Sequence, residues 1–378
     1  MIRAPDVVVI GGGIVGTSAS AFLARAGARV TLIEREALAA GASGRNSGVV
    51  QHPFDPILAG LYAESLEGYR DLAAADPGRL RIPADPCGLL YVASDASRVA
   101  AQVEALIDTR GDLAPEFLAP GEAARIEPAL GSGIAACRLA IGYPVAPAAA
   151  TLAYAEDARR RGVRIEIGRE ARLWIEDDRI AGVHVGGGRI AAGAVVVAAG
   201  PWSPGIVDPT GTWRPIRSSW GMVVDVRLAV PPRHVLEELD VEAAIEPRSA
   251  DRTVEAGGLG FSLVPAEGSS SLGSTFLSTP PDPGTVLPAL LERGSRFVPA
   301  VATTPAGAVR VCARPVSIDG RPLVGEVPWQ AGLFLATGHG PWGISTGPAS
   351  GRLVADLVLD RVGGPPPPLD PGRFPGPS

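Results

Sequence analysis

Residues Asp6 to Gly16 constrain this chain more than any other stretch. Val7, Val8, Val9 and Ile10 form a β-branched run of the kind required by a strand buried on both faces of a parallel sheet. Gly11, Gly12 and Gly13 follow at once, then Ile14, Val15 and Gly16. A helical stretch runs from Thr17 to Ala26 and ends at Gly27; a second strand, Arg29 to Ile33, stops at Glu34. The order strand, G-x-G-x-x-G, helix, strand, acid gives each residue a task. Gly11 permits a tight turn at positive φ, Gly13 lets a pyrophosphate reach bare backbone, and Gly16 lets helix and strand pack closely. Free N–H groups at the helix start, Ile14 and Val15 among them, attract phosphate charge. Glu34 lies about 20 residues on, where a carboxylate takes both ribose hydroxyls. The stretch predicts a dinucleotide site; a glycine-rich turn without a ligand is the alternative reading.

The 378 residues are 46% hydrophobic, enough for two domains with their own cores. A net charge of −6 argues against nucleic acid or an anionic membrane as partner. No run of 18 apolar residues exists, so no membrane span is expected, and the glycines interrupt any signal-peptide core. Cys87, Cys137 and Cys312 are sparse and odd in number, which fits a reducing cytoplasm. They form no C-x-x-C pair or His-Cys cluster, and no metal is expected. All 34 basic residues are arginine, so any role that needs a lysine is filled otherwise or missing.

After Glu34 and Arg35, the loop from Gly41 to Gly48 is small, polar and carries one cation, Arg45. Ser43, Arg45, Asn46 and Ser47 can wrap a phosphate or a flat polar ring with backbone and side-chain donors. Helices are predicted over Ile57–Ala75, Ser97–Asp108, Thr151–Arg161, Pro288–Phe297 and Gly347–Asp360, with loop and a short helix over Pro115–Pro128. Strands are read at Gly88–Ala93, Val163–Ile167 and Arg172–Ile175, with a hairpin around Gly186 to Gly188. Two further buried strands, Ala194–Ala198 and Leu333–Thr337, each feed a small-residue turn: Ala199-Gly200-Pro201-Trp202 and Gly338-His339-Gly340-Pro341-Trp342-Gly343-Ile344. Such turns belong at the carboxyl edge of a parallel sheet, where ligands lie. Trp213–Leu228 and Leu259–Phe276 alternate like strands of an antiparallel sheet. The expected fold is therefore α/β, a Rossmann-like dinucleotide-binding domain with a discontinuous α+β second domain. Residues 1–78, 145–212 and 308–362 make up the first, 79–144 and 213–307 the second, and 363–378 an extended or disordered proline-rich tail.

No second G-x-G-x-x-G follows a strand, so one nucleotide must suffice: a nicotinamide, or a flavin reduced directly by an organic substrate. The chain resembles the D-amino-acid-oxidase-like family of flavoproteins, which includes glycine oxidase, sarcosine oxidase and D-amino-acid dehydrogenases. Gly11 to Gly16 with Glu34-Arg35, Gly41 to Ser47, Val195 to Ser203, Arg314 to Pro322 and Gly338 to Ile344 carry the resemblance. It implies FAD, with adenine and ribose near Glu34; a non-covalent link is expected, with a thioether to Cys312 as the alternative. It also implies that the flavin ring lies between the Ser43–Ser47 loop and the Gly338–Ile344 turn, with Ala171, Ala199, Gly200 and Trp202 beside the cofactor.

The resemblance further implies oxidation of a C–N bond beside a carboxylate, with hydride leaving the α-carbon of a small amino acid (a secondary amine or a D-amino acid) for flavin N5 and an imine that hydrolyses. Arg314 sits where glycine-oxidase-like members carry the arginine that pairs with the substrate carboxylate; a structural ion pair is its alternative. Cys312 lines up with the cysteine that binds flavin in sarcosine-oxidase-like members, but Arg314-Pro315 is the pattern of the non-covalent branch. The lysine that activates oxygen in sarcosine-oxidase-like members is missing, which closes that route and tilts the reading toward a dehydrogenase; oxygen, a quinone or another protein is the electron acceptor. His52 and His339 are candidate acid–base groups and Trp342 a candidate pocket wall, each with a structural role as alternative. His184 and His234 read as solvated, and Trp220 and Met222 as pocket lining or core. A 2-hydroxy acid substrate, or a role as flavin-carrying subunit of a hetero-oligomer, are the other functions this pattern allows.

Overall fold

The computed structural model describes residues 6–239 and 258–377. The opening valine run forms the strand Val7–Ile10 in a six-stranded sheet. From one edge the order is Leu323–Glu326, Leu333–Thr337, Ala194–Val197, Val7–Ile10, Val30–Glu34 and Arg164–Ile167. Only the first pair is antiparallel. Both faces are covered, which is why the central strands need apolar residues without alternation. Val7 and Val9 face a core with the helices Ile14–Arg25, Pro56–Ala75 and Gly343–Val358. Val8 and Ile10 face a second core, capped by the small sheet of Ala171–Glu176, Arg179–Val185 and Gly188–Ala191.

Small residues let these helices come close. A Cβ on Gly16 would lie 1.9 Å from the Gly11 carbonyl oxygen, and one on Gly351 would lie 2.2 Å from Ser18 Oγ. Helix Ile14–Arg25 is thereby seated on its strand and on helix Gly343–Val358, and both helices start at the same carboxyl edge of the sheet.

The second sheet has eight strands: Ala306–Ser317, Ile216–Val226, Ser270–Thr275, Leu259–Val264, Val235–Glu238, Leu89–Ala93, Ala135–Leu139 and Glu116–Leu118. It is antiparallel except where Val235–Glu238 runs parallel to Leu89–Ala93. Helix Pro283–Phe297 covers one face through Leu290 and Phe297.

The structure departs from the sequence reading in several places, three of them at the sheet connection, the last helix and the tail. The strand Ala306–Ser317 pairs along its length with Ile216–Val226, so the chain returns to the first sheet after Ser317 rather than at 308. The helix read from Gly347 starts at Gly343; its glycines and Pro348 suggest a turn, but tertiary packing holds them helical. The tail is ordered: two short turns, Pro367–Leu369 and Pro371–Arg373, bury Leu369 and Pro371, and Arg373 grips Asp319 at 2.7 and 3.0 Å. A proline run lacks N–H groups to satisfy, so it packs on a surface without needing a sheet. Within the expected domains, residues 1–5 and 240–257 lie outside the described residues.

Candidate active site

The carboxyl ends of four strands of the first sheet and one face of the second enclose a cavity of about 540 Å³. Its deep wall is the opening turn. Gly11 has φ +116°, and a Cβ there would meet the Ala198 carbonyl at 2.4 Å, so this turn admits only glycine. Gly13 caps the first helix without a side-chain bond, and the helix N-terminus opens on the cavity. Ser43 Oγ accepts from the Ile14 N–H at 3.0 Å, tying the second loop to this helix start. Glu34 Oε2 accepts from the Gly12 N–H at 2.7 Å and Oε1 from the Glu36 N–H at 2.8 Å, which fixes the carboxylate at the end of its strand.

The loop read from Gly41 to Gly48 contains one helical turn, Ala42–Arg45. Asn46 Nδ2 donates to the Ser43 and Pro147 carbonyls, and its Oδ1 accepts from the Gly48 N–H, so Asn46 shapes the loop. Arg45 Nη1 donates to the Val311 carbonyl, bridging the loop to the second sheet. At the mouth, the Arg35 guanidinium lies 3.9 Å from the centre of the Trp202 ring. Opposite, Tyr69 Oη donates to the Ile344 carbonyl at 2.7 Å and holds the Gly338–Ile344 turn.

These residues fit a dinucleotide such as FAD: bare backbone at Gly11 to Gly13, a helix N-terminus whose cap residue has no side chain and a fixed carboxylate at Glu34 lie along one cavity. Ala171, Ala199, Gly200, Ser47, Gly340, Trp342 and Gly343 line it as well. Gly16 and Gly338 do not; they act behind it. Gly338, at φ +89°, would press a Cβ to 2.8 Å from Ile216.

Arg314 stands on the second sheet, opposite Ser219. Its Nη1 donates to the Thr275 carbonyl at 2.7 Å and Nη2 to Ser274 Oγ at 2.8 Å, and its Cζ lies 4.8 Å from the centre of the Phe276 ring. A Cβ on Gly221 would overlap the guanidinium at 2.5 Å, so that glycine makes room for it. Burial pulls the guanidinium below its ordinary value, and no carboxylate pairs with it among the described residues. The described residues thus offer no partner for a structural ion pair.

Both histidine candidates pack against other protein groups. His52 does not line the cavity; its ring packs 4.8 Å from that of Tyr62, and Nε2 lies 3.2 Å from Arg110 Nη2. His339 sits at the cavity wall but is buried, with Nε2 2.9 Å from Ser350 Oγ. Burial pushes it down to about 4, so it is neutral and pins the turn to its helix. His234, expected in solvent, lies with Nδ1 2.9 Å from Glu127, a fully buried carboxylate that also accepts from the Arg233 and His234 amides. His184 remains at the surface beside Trp174. Trp220 lines the cavity, and Met222 is core.

Sequence reasoning missed one pair. Glu237 reaches the cavity from the strand Val235–Glu238 and accepts from Gln51 Nε2 at 3.0 Å. Gln51 follows the Ser43–Ser47 loop, and its N–H donates to Ser345 Oγ at 2.9 Å. The available signal was a carboxylate at an inward position of an apolar strand, Val235-Leu236-Glu237. Burial pushes the Glu237 carboxyl up to about 7, with the Gln51 bond pulling the other way. A carboxyl raised above its unfolded value of 4.5 costs the fold stability as pH rises between the two values, fully above about 7. Glu237→Gln should therefore stabilise the ligand-free protein against urea by on the order of 3 kcal/mol at pH 8 and by less than about 1 kcal/mol at pH 5. An equal effect at both pH values contradicts this.

The comparisons agree with this geometry at the level of the family. Residues 6–357 match the family of FAD dependent oxidoreductases termed DAO. Glycine oxidase of Pseudomonas aeruginosa is 30% identical, over 97% of this chain and 97% of its own. The crystal structure of glycine oxidase from Geobacillus kaustophilus superposes with a TM-score of 0.82 at 25% identity, covering 98% of this chain and 99% of that one. L-proline dehydrogenase from P. horikoshii shares the fold, with a TM-score of 0.82 at 21% identity over 99% and 98% of the two chains. A match across nearly the whole chain, on a cavity built for a dinucleotide, means that this protein belongs to the DAO family of FAD dependent oxidoreductases.

Proposed function

We propose that this protein oxidises a small amino acid, a secondary amine or a D-amino acid, at the carbon that bears its nitrogen, and that it holds FAD without a covalent bond. Arg314 carries the reading: a cavity-facing guanidinium, oriented by Ser274 and Thr275, with no carboxylate partner among the described residues. The similarity to proteins named glycine oxidase supports an amino acid over a 2-hydroxy acid. FAD, when bound, supplies the acceptor for the hydride that leaves the α-carbon.

The chain's own contribution is orientation and electrostatics. The N–H groups of Arg314 that are not spent on Ser274 and Thr275 grip both oxygens of a substrate carboxylate. That contact aims the α-carbon at the turn Gly338–Ile344 and the Ser43–Ser47 loop. The apolar part of the cavity wall, with Trp220, Phe276 and Val223, keeps water from the reacting carbon. The amine reacts in its neutral form, because its lone pair drives hydride departure.

Burial raises the Cys312 thiol above its ordinary value, despite the opposing charges of Arg314, Arg45 and Arg310. A protonated thiol is a poor nucleophile. That supports the non-covalent reading, as does Sγ resting 3.9 Å from the Arg45 carbonyl oxygen.

Two experiments test these points. Arg314→Ala should lower kcat/KM about 30- to 1,000-fold, since truncating one partner of such a pair costs about 2–4 kcal/mol, while FAD absorbance is retained; an unchanged kcat/KM overturns the assignment. Acid precipitation of the FAD-loaded protein should leave the yellow colour in the supernatant; colour in the washed pellet means a covalent bond, at Cys312 if Cys312→Ser abolishes it.

A further inference from the structure

Arg314 accounts for one charge of an amino acid and leaves the other unassigned. On the side of the cavity formed by the second sheet, Glu237 is the other charged group among the described lining residues. Its neighbour in sequence, Glu238, faces the other side of the sheet and is fully answered by Arg293, at 2.7 and 2.9 Å. Glu237 has no such cation among the described residues. Its one described partner is the neutral amide of Gln51. A buried carboxylate without a cation is costly, and a cation that arrives with a ligand relieves that cost.

The sheet sets the separation. The acceptors that hold the Arg314 guanidinium, Ser274 and Thr275, lie on the strand Ser270–Thr275. The next strand carries Ser262, and Glu237 pairs with Ser262 from the strand beyond that. Two strand spacings amount to about 10 Å. The floor between is low: Gly221, Gly273 and Ser262 have small side chains or none, and a Cβ on Gly273 would already touch Ser262 Oγ at 3.1 Å. Two charge-assisted hydrogen bonds of about 2.8 Å use roughly half of that span. The rest is the size of a molecule that carries a carboxylate and an ammonium a few bonds apart.

We propose that Glu237 is the residue that binds the amino group of the substrate, opposite Arg314 on its carboxylate, and that the pair selects amino acids against carboxylates that lack a basic nitrogen. This rests on the amino acid reading above and adds the residue that enforces it. Gln51 is the positioning residue: tied by its N–H to Ser345 beside the cofactor turn, it fixes the carboxylate with its side-chain amide. Binding itself changes no bond: the ionised Glu237 holds the ammonium, and before oxidation one N–H proton passes to the Glu237 carboxylate, which returns it to solvent.

The test uses FAD-loaded protein reduced with dithionite, so that nothing is turned over, and measures Kd by calorimetry for matched pairs: glycine and glycolate, D-alanine and D-lactate, proline and tetrahydrofuran-2-carboxylate. Wild type should favour the amino member of at least one pair about 10- to 100-fold, the worth of a hydrogen bond to a charged group. Glu237→Gln should weaken the amino member by that factor, leave its partner within about twofold, and thereby erase the preference; Glu237→Asp should restore part of it. An undiminished preference in Glu237→Gln overturns the proposal, and so does equal weakening of both members, which would mean a structural role. If wild type binds no amino acid on the panel, the amino acid reading itself falls, a result distinct from either.

Discussion

The site depends on one close approach. Helix Ile14–Arg25 can begin right after Gly13, with its N-terminus aimed at the cavity, because Gly16 lets its backbone rest on the Gly11 carbonyl. A single methyl at Gly16 would overlap that oxygen. The helix would lift, and the bare backbone of Gly11 to Gly13, the Ser43 contact and the Gly12–Glu34 hydrogen bond would lose their common geometry. Helix Gly343–Val358 reinforces the arrangement from outside, through Gly347 against Ile14 and Gly351 against Ser18. Its own start, held by Tyr69 and His339, forms the opposite wall.

On this frame the second sheet adds what the first lacks. The first offers backbone donors, a helix end and one carboxylate, which suits a dinucleotide. The second brings charged side chains to the same cavity across a floor of glycine and serine. Arg314 and Glu237 both sit there without an oppositely charged partner among the described residues, while most charged groups elsewhere have one. Buried charges left unpaired by a fold are the places where it is built to receive something else. A cation and a carboxylate in one cavity match the two charges of an amino acid.

Much of this was legible in the sequence because local rules and tertiary demands agreed there. The positions of the valine run, Gly11, Gly13, Gly16 and Glu34 in the fold were legible because they are set within one strand–helix–strand unit. The turns after Ala198 and Thr337 were legible for the same reason. Arg314 was found by family resemblance, not by spacing, since its partners Ser274 and Thr275 come from another strand. Where side-chain direction decides, sequence failed. His52 and His339 look like catalytic groups in a loop and a turn, yet one turns onto Tyr62 and the other onto Ser350. Glu237 and Gln51 lie 186 positions apart and meet only through the packing of two sheets. The proline-rich tail was misread because composition reports how flexible a free segment is, not whether a surface such as Gly325 is waiting for it.

The proposed function requires the chain to load FAD at its opening turn and to reduce it with an amino acid. The most direct measurement is the visible spectrum of the FAD-reconstituted protein, mixed without oxygen with a panel of amino acids and the matching 2-hydroxy acids. The account predicts a yellow protein whose flavin band is bleached by at least one small amino acid and by no hydroxy acid. A protein that takes up no FAD, or whose colour survives every amino acid, contradicts it.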